Sequence, residues 1–295
     1  MKKMMLLVNP NAGKGGYKTV LGEVLHIFCE ADWEPTVFFT RASGEAPGLV
    51  QEHVADYDLV VCIGGDGTLS EVTAGMMRLG GDRRPIGYIP LGTANDVART
   101  LGLSPRPLDA AKNILSGRPF PLDVGKFGRE NFFTYVAAFG AFTEVSYATP
   151  QETKHALGYL AYPLEALRRL PMITDYHAVV EYDGNTIEDD FVFGGVTNST
   201  SVAGLVRLDA DTVNLADGMF EVILVRKPLD LLDLSSIVTS ILSNDFSGPN
   251  VMFLKSREIR FRFDGPVAWT RDGEDGGSHT DVLIHNCHSA VEIIV

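Results

Sequence analysis

The sequence predicts an α/β fold in two parts: an N-terminal doubly wound α/β domain and a C-terminal antiparallel β-sandwich domain. Two observations predict this. In the first third of the chain, short apolar runs alternate with helical periods, the alternation that builds a parallel sheet with ligands at the carboxyl ends of its strands. After about residue 120 the runs become β-branched and aromatic and are broken by hairpin-type turns, which reads as a separate antiparallel sheet.

The elements follow in order. Met4–Val8 is a continuous apolar run and predicts a buried strand, followed by the loop Asn9-Pro10-Asn11-Ala12-Gly13-Lys14-Gly15-Gly16. Tyr17, Val20, Leu21, Val24, Leu25 and Phe28 then recur at i, i+3, i+4, i+7, i+8 and i+11, one face of a helix. Thr36–Phe39 reads as a second strand and Ala46–Val54 as a weaker helix. Leu59–Ile63 is a third strand, bounded by Gly64-Gly65-Asp66-Gly67, and Leu69, Val72, Met76 and Leu79 mark the next helix face. Ile86–Ile89 is a fourth strand, leading through Pro90-Leu91-Gly92-Thr93 into a helix near Ala94–Leu101. In the second part, Asn131–Ala138, His177–Tyr182, Phe191–Thr197, Phe220–Val225 and Glu258–Phe263 read as strands, with Asp183-Gly184 as a hairpin turn. Ala156–Leu170 and Leu229–Leu242 read as helices. Domain boundaries are placed at 1–122 and 123–285, with the return of residues 286–295 to the first domain left open.

The chain has 295 residues, and 25 Lys+Arg against 38 Asp+Glu leave it a net charge of −13. That balance argues against a nucleic-acid partner, whose phosphates need a basic footprint, and against broad electrostatic adhesion to anionic lipid. Cys29, Cys62 and Cys287 are odd in number and far apart, which suggests reduced thiols in a cytoplasm rather than a disulfide framework. The N-terminus lacks a signal-peptide apolar region, and no apolar run approaches the roughly 18 residues of a membrane span.

Three glycine-bearing loops, Asn9–Gly16, Gly64–Thr68 and Gly92–Asp96, each follow a strand. Glycine lets backbone N–H groups approach an anion, and the following helix N-termini add positive partial charge. One such loop is weak evidence. Three in successive strand–helix units point to a shared site with phosphate as its natural ligand. None matches a Walker loop, because Lys14 is followed by Gly15, and no dinucleotide fingerprint is present.

Gly64-Gly65-Asp66-Gly67-Thr68 with Glu71, together with Pro90-Leu91-Gly92-Thr93-Ala94-Asn95-Asp96, resembles the bacterial diacylglycerol kinase family of soluble lipid kinases. That family is related to sphingosine and ceramide kinases and more distantly to NAD kinases. Asn9-Pro10-x-Ala12-Gly13-Lys14 resembles its first nucleotide loop, Asn214-Leu215-Ala216-Asp217-Gly218-Met219 its metal-holding loop, and Arg271-Asp272-Gly273-Glu274 its late acidic motif. The resemblance implies a nucleotide-binding first domain, with ATP in a cleft between the domains. The nucleotide site would be lined by Asn9, Pro10, Asn11, Ala12, Gly13, Thr40, Gly64, Gly65, Asp66, Gly67, Thr68, Glu71, Gly92, Thr93, Asn95 and Asp96. It implies Mg2+ near Asp217 with the carbonyls of Asn214 and Met219, oxygen ligands that suit a hard cation. It also implies that Asp272 or Glu274 takes the proton of a lipid hydroxyl as it attacks the γ-phosphate. Lys14 reads either as a phosphate contact or as a solvated loop lysine.

The expected reaction is therefore ATP- and magnesium-dependent phosphorylation of diacylglycerol to phosphatidic acid. A sphingoid or other lipid alcohol is the first alternative, an NAD kinase-like enzyme the second, and a non-catalytic lipid or nucleotide sensor the third. The expected partners are ATP and a membrane-derived lipid alcohol, met by transient peripheral contact at the inner membrane face, with a homodimer left open. Ser70 stands where the family usually carries Asn, and Asn198–Arg207 replaces a glycine-rich run. His279, His285, Cys287 and His288 alternate across a strand and do not converge as zinc ligands. Lys154–Met172 reads as a core helix, or as a docking edge for lipid through its basic end and aromatic residues.

Overall fold

A computed structural model describes residues 2–141, 174–202, 206–208 and 213–295. The expected helix Ala156–Leu170 and the docking edge Lys154–Met172 lie outside the described residues. The chain divides into two compact units. Unit 1 comprises Met1–Val124, Leu215–Asp217 and Cys287–Val295, and unit 2 comprises Gly125–Asn214 and Gly218–Asn286.

Unit 1 is the doubly wound half. Its strands β1 (Lys2–Val8), β2 (Trp33–Phe39), β3 (Leu59–Gly64) and β4 (Ile86–Pro90) are parallel in the order β4-β3-β1-β2. β3 and β4 are buried along their whole length, as strands covered on both faces must be. β2 begins at Trp33, earlier than its apolar run suggests, and takes Pro35 because it is the sheet's edge. One face is covered by α1 (Tyr17–Glu30), whose Val24 and Phe28 pack with Met4, Leu6 and Val8. The helices α2 (Ala46–His53) and α3 (Asp66–Arg78) pack against each other, and α3 lies on β3. After the short helix α4 (Asp96–Thr100), α5 (Pro107–Ser116) joins α1 through Ala110, Ala111 and Ile114. Sequence periodicity passes over α5 because much of its buried face is alanine, a weak hydrophobic signal.

β5 (Pro119–Phe127) leads the chain from unit 1 into unit 2. There the strands are β6 (Asn131–Phe133), β7 (Val136–Gly140), β8 (Tyr176–Tyr182), β9 (Asn185–Thr197), β10 (Ser201–Val202), β11 (Val206–Arg207), β12 (Phe220–Arg226), β13 (Val251–Ser256), β14 (Glu258–Arg271) and β15 (Glu274–Ile294). Their pairings within the unit are antiparallel. β9 and β14 are long enough to change partners along their length: each pairs with β8 at one end and with β7 at the other. Between them Phe139, Phe261, Phe263 and Trp269 meet edge-on, tilted or stacked, forming the unit's aromatic centre. Asp183-Gly184 closes the β8–β9 hairpin with φ of 45° and 80°, the left-handed pair a two-residue hairpin turn requires. The α6 helix (Leu231–Ser243) is the helical interruption expected at Leu229–Leu242.

One strand expectation needs correcting. Asn131–Ala138 is two strands, β6 and β7, broken at Thr134 and Tyr135. Those residues, with Val136, aim their N–H groups at the carboxylate of Asp272. A side chain has taken the donors that a continuous strand would have offered to a neighbour. β15 ends in unit 1, where Ile293 pairs in parallel with Ile86 of β4.

Candidate active site

In unit 1 the three glycine loops leave the carboxyl ends of β1, β3 and β4, and their side chains lock them to one another. Asn9 N–H donates to the carbonyl of Ile63 at 3.0 Å, and Asn9 Nδ2 to Thr68 Oγ1 at 3.0 Å, tying the first loop to the second. Asn9 Oδ1 also accepts the N–H of Asn11 at 2.9 Å, which turns the first loop back on itself. Asp66, buried at the start of α3, accepts the N–H groups of Asp96 at 3.0 Å and Val97 at 3.2 Å. It thereby caps α4 from a different helix, since the α4 N-cap residue Asn95 makes no side-chain cap bond. Asn95, in the left-handed region at φ 51°, uses its amide to bracket Gly92: Gly92 N–H donates to Oδ1 at 2.9 Å and Nδ2 to the Gly92 carbonyl at 2.9 Å.

The loops touch so closely that side chains do not fit. A Cβ on Gly13 would lie 2.3 Å from the Leu91 carbonyl oxygen, and Gly13 has φ +55°. A Cβ on Gly92 would lie 2.6 Å from the Cα of Gly65. Thr40 and Thr68 are buried beside these loops, whereas Asn11, Gly13 and Thr93 are exposed. Gly65 and Gly67 are half-buried at the N-terminus of α3, the end that favours an anion. Glu71 turns away to a neighbouring loop, accepting Ser43 Oγ at 3.3 Å and the N–H groups of Gly44 at 2.7 Å and Ala46 at 3.3 Å, at the start of α2. Asp66, Glu71, Asn9 and Asn95 therefore hold the loops in place through hydrogen bonds. Pro10, Ala12 and Lys14 stand in the first loop, the latter two in a single 3-10 turn over Ala12–Gly15. The side chain of Lys14 lies outside the described residues.

The acidic motif of unit 2 resolves into two unlike carboxylates. Asp272 and Gly273 form the β14–β15 hairpin turn at φ 49° and 80°. Asp272 is buried, and its carboxylate accepts three backbone N–H groups: Thr134 at 2.7 Å, Tyr135 at 3.0 Å and Val136 at 3.1 Å. Its own N–H donates to the Val136 carbonyl at 2.8 Å. A proton added to Asp272 would cost one of these bonds. Glu274, two residues on, is exposed.

The segment Asn214–Met219 carries the expected metal donors: the exposed carboxylate of Asp217 and the carbonyls of Asn214 and Met219. Met219's carbonyl accepts Asn286 Nδ2 at 3.1 Å, and a carbonyl has a second lone pair. One carboxylate with carbonyls and water is a donor set that suits Mg2+. Among the described residues no cluster of three His, Cys, Asp or Glu side chains is placed to hold a metal, nor does such a hard-oxygen site need one.

Sequence reasoning missed Asp123. It is fully buried in unit 1, and its N–H donates to the Leu215 carbonyl at 2.8 Å. Its carboxylate accepts the Ser289 N–H at 2.6 Å and meets His288 Nδ1 at 3.0 Å. Asp123 thus pins the loop residue next to Ala216 and Asp217 to the last strand. The signal was present as an acidic residue inside the apolar run Leu122-Asp123-Val124. The other histidines of the C-terminal group have separate partners: His279 meets the Gly276 carbonyl and His285 meets Glu258.

Residues 3–127 match the diacylglycerol kinase catalytic domain family, and residues 137–294 match the YegS C-terminal NAD kinase beta sandwich-like domain. Diacylglycerol kinase of Bacillus subtilis (strain 168) is 33% identical over 282 residues, covering 94% of this chain and 91% of that protein. Diacylglycerol kinase of Staphylococcus carnosus (strain TM300) is likewise 33% identical over 282 residues, covering 94% and 90%. The crystal structure of a diacylglycerol kinase from Bacillus anthracis str. Sterne superposes with a TM-score of 0.76 at 24% identity, covering 99% of this chain and 96% of that one. That last likeness concerns the fold.

Proposed function

The chain belongs to the diacylglycerol kinase family and is a lipid kinase; from that premise we propose that it transfers the γ-phosphoryl group of ATP to the free hydroxyl of diacylglycerol, giving phosphatidic acid and ADP. The observation that carries the proposal is the interlock of the three glycine loops, in which Asn9 bonds to Thr68, Asp66 accepts the N–H groups of Asp96 and Val97, and glycines allow the close approach.

In this reading, phosphates lie against Gly13, Gly65, Gly67 and Thr93. Rigid loops position the γ-phosphorus, which is most of what phosphoryl transfer demands of a protein. The lipid hydroxyl oxygen bonds to the γ-phosphorus as the bond to the β,γ-bridging oxygen breaks and ADP leaves. Its proton goes to Glu274, an exposed carboxylate. Asp272 is a positioning residue: it fixes the turn from which Glu274 projects. Asp217 and the carbonyls of Asn214 and Met219 would hold Mg2+, which when bound neutralises phosphate charge. The acceptor, a membrane lipid, is reached by peripheral contact with a membrane.

The test is phosphate transfer from labelled ATP, with and without magnesium, to a panel of mixed micelles containing diacylglycerol, sphingosine or ceramide, with NAD as a soluble acceptor. Label in phosphatidic acid, dependent on magnesium, is expected. Label in NAD and in no lipid would overturn the assignment.

A further inference from the structure

Phe39, the last residue of β2, is 43% exposed, whereas every other Phe, Tyr or Trp among the described residues is buried or half-buried. A single exposed phenylalanine is ordinary, but this one stands at the end of the sheet that carries the glycine loops. Phe39 pairs with Val8 in the β1–β2 register, one residue before Asn9. The next N–H along, that of Thr40, donates to the Val8 carbonyl at 3.0 Å. Thr40 is itself buried, so the side chain that this corner presents is Phe39.

The ring is braced from behind. It meets Tyr17, the first residue after the loop Asn9–Gly16, in an edge-to-face contact with centroids 5.5 Å apart at 64°. Tyr17 packs in turn on the core of unit 1. Phe38 points to the opposite face of the sheet, where it meets His53 and Tyr57.

Strand order says what lies against such a ring. In β4-β3-β1-β2 the three glycine loops leave β4, β3 and β1 in a row, and β2 comes next as the edge of the sheet. With strands about 4.8 Å apart, the end of β2 lies roughly 5 Å from that of β1 and about 14 Å from that of β4. A nucleoside triphosphate whose phosphates follow the row carries its ribose and base off one end of it. At the β4 end Tyr88 is buried, with its hydroxyl donating to Asn95 Oδ1 at 3.3 Å, and β4 has β15 as its other neighbour. At the β2 end the sheet is open and an aromatic ring stands ready, the surface on which bases stack.

We propose that Phe39, braced by Tyr17, is the stacking platform for the purine ring of the phosphate donor and a specificity-determining residue for it. The inference rests on the ATP reading. Stacking accepts any flat base and favours the larger face of a purine over a pyrimidine, so this contact selects ATP over CTP.

Calorimetric titration with magnesium present compares wild type, Phe39→Ser and Phe39→Trp. The probes are ATP, CTP and ribose 5-triphosphate, which is ATP without its base. Phe39→Ser should bind ribose 5-triphosphate as wild type does and ATP ~5- to 100-fold more weakly, and its preference for ATP over CTP should shrink. Phe39→Trp should keep or tighten ATP binding. In mixed micelles the KM for ATP of Phe39→Ser should rise by the same factor while kcat at saturating ATP holds. Unchanged ATP affinity in Phe39→Ser would overturn the proposal. So would equal weakening of ATP and ribose 5-triphosphate, which would make Phe39 a support of the loops alone. Wild-type protein that binds the two equally would also overturn it, while leaving the phosphate loops standing. Wild-type binding to neither would remove the ATP reading itself, and this inference with it.

Discussion

Asp272 and Glu274 sit two residues apart in one motif, and replacing each by its amide should produce opposite phenotypes. In Asp272→Asn the left-handed φ of 49° is no obstacle, since Asn adopts that region as readily as Asp. What changes is hydrogen bonding. If the Asn oxygen keeps Tyr135 and Val136, the amide NH2 faces the Thr134 N–H, whose present acceptor lies 2.7 Å away. An orphaned buried donor costs about 1–3 kcal/mol, and the two surviving bonds lose the strengthening a charged acceptor gives. A total of roughly 2–4 kcal/mol corresponds to a fall in melting temperature of about 5–15 °C for a unit of this size. Glu274→Gln, at an exposed position, should leave the melting temperature within about 2 °C and reduce kcat by ~10²–10⁴, with KM for ATP little changed. Calorimetry with micellar turnover, assayed well below the variant's melting point, reads both. An Asp272→Asn protein of wild-type melting temperature and no turnover, beside an active Glu274→Gln, would refute the division of roles.

Four further outcomes follow from particular geometry. Gly13→Ala brings a Cβ to within 2.3 Å of the Leu91 carbonyl at a positive φ, so the first loop must shift; KM for ATP should rise ~10-fold or more in initial-rate assays. Glu71→Ala leaves the Gly44 and Ala46 N–H groups without their carboxylate at the start of α2, and chemical denaturation should show a loss of about 1–2 kcal/mol. Burial pushes the Cys62 thiol far above the ordinary range, so a thiol reagent should label exposed Cys29 in the native protein and reach Cys62 only after unfolding. The Asp190 hydrogen bond, then the field of Asp264, a hydrogen bond to Glu188 and the charge of Asp190, raise the His177 imidazole above its usual value despite some desolvation. Its stabilising effect is fully present below the ordinary histidine range and lost as pH rises through the raised folded value. An NMR titration should find the His177 midpoint above that of a free imidazole.

The doubly wound order of unit 1 and the position of its three loops were legible because both are local properties. A buried parallel strand is a continuous apolar run, and a loop at its end announces itself by glycine. The partnerships of the polar side chains were not legible, because they join distant positions. Asp66 reads as a ligand residue in Gly-Gly-Asp-Gly-Thr, yet its oxygens serve Asp96 and Val97 on another helix. Glu71 reads the same way and serves the start of α2. The break between β6 and β7 has the same origin, since Asn131–Ala138 has strand composition throughout and is interrupted by a carboxylate more than 130 residues away in sequence. Asp123 could have been flagged as an acid in an apolar strand, but its pairing with His288 and Ser289 spans 165 and 166 residues.

Asp66 and Glu71 share a feature that bears on how the kinase works. Each carboxylate holds backbone N–H groups at the start of a loop or helix. A site for ATP gains from this arrangement. Carboxylates facing a triphosphate would repel it at short range, whereas Glu71 and Asp66 are bonded to backbone N–H groups and fix the loops of unit 1. Asp217 and Glu274, by contrast, are exposed, and they are the two acids to which the proposed mechanism gives a cation and a proton. Reversing one of the internal acids should therefore act on loop order before it acts on chemistry. In Asp66→Asn, one of the two α4 N–H groups loses its acceptor, so KM for ATP should rise well before kcat falls. A variant in which kcat alone collapsed, with nucleotide affinity and melting temperature intact, would return Asp66 to the reacting centre.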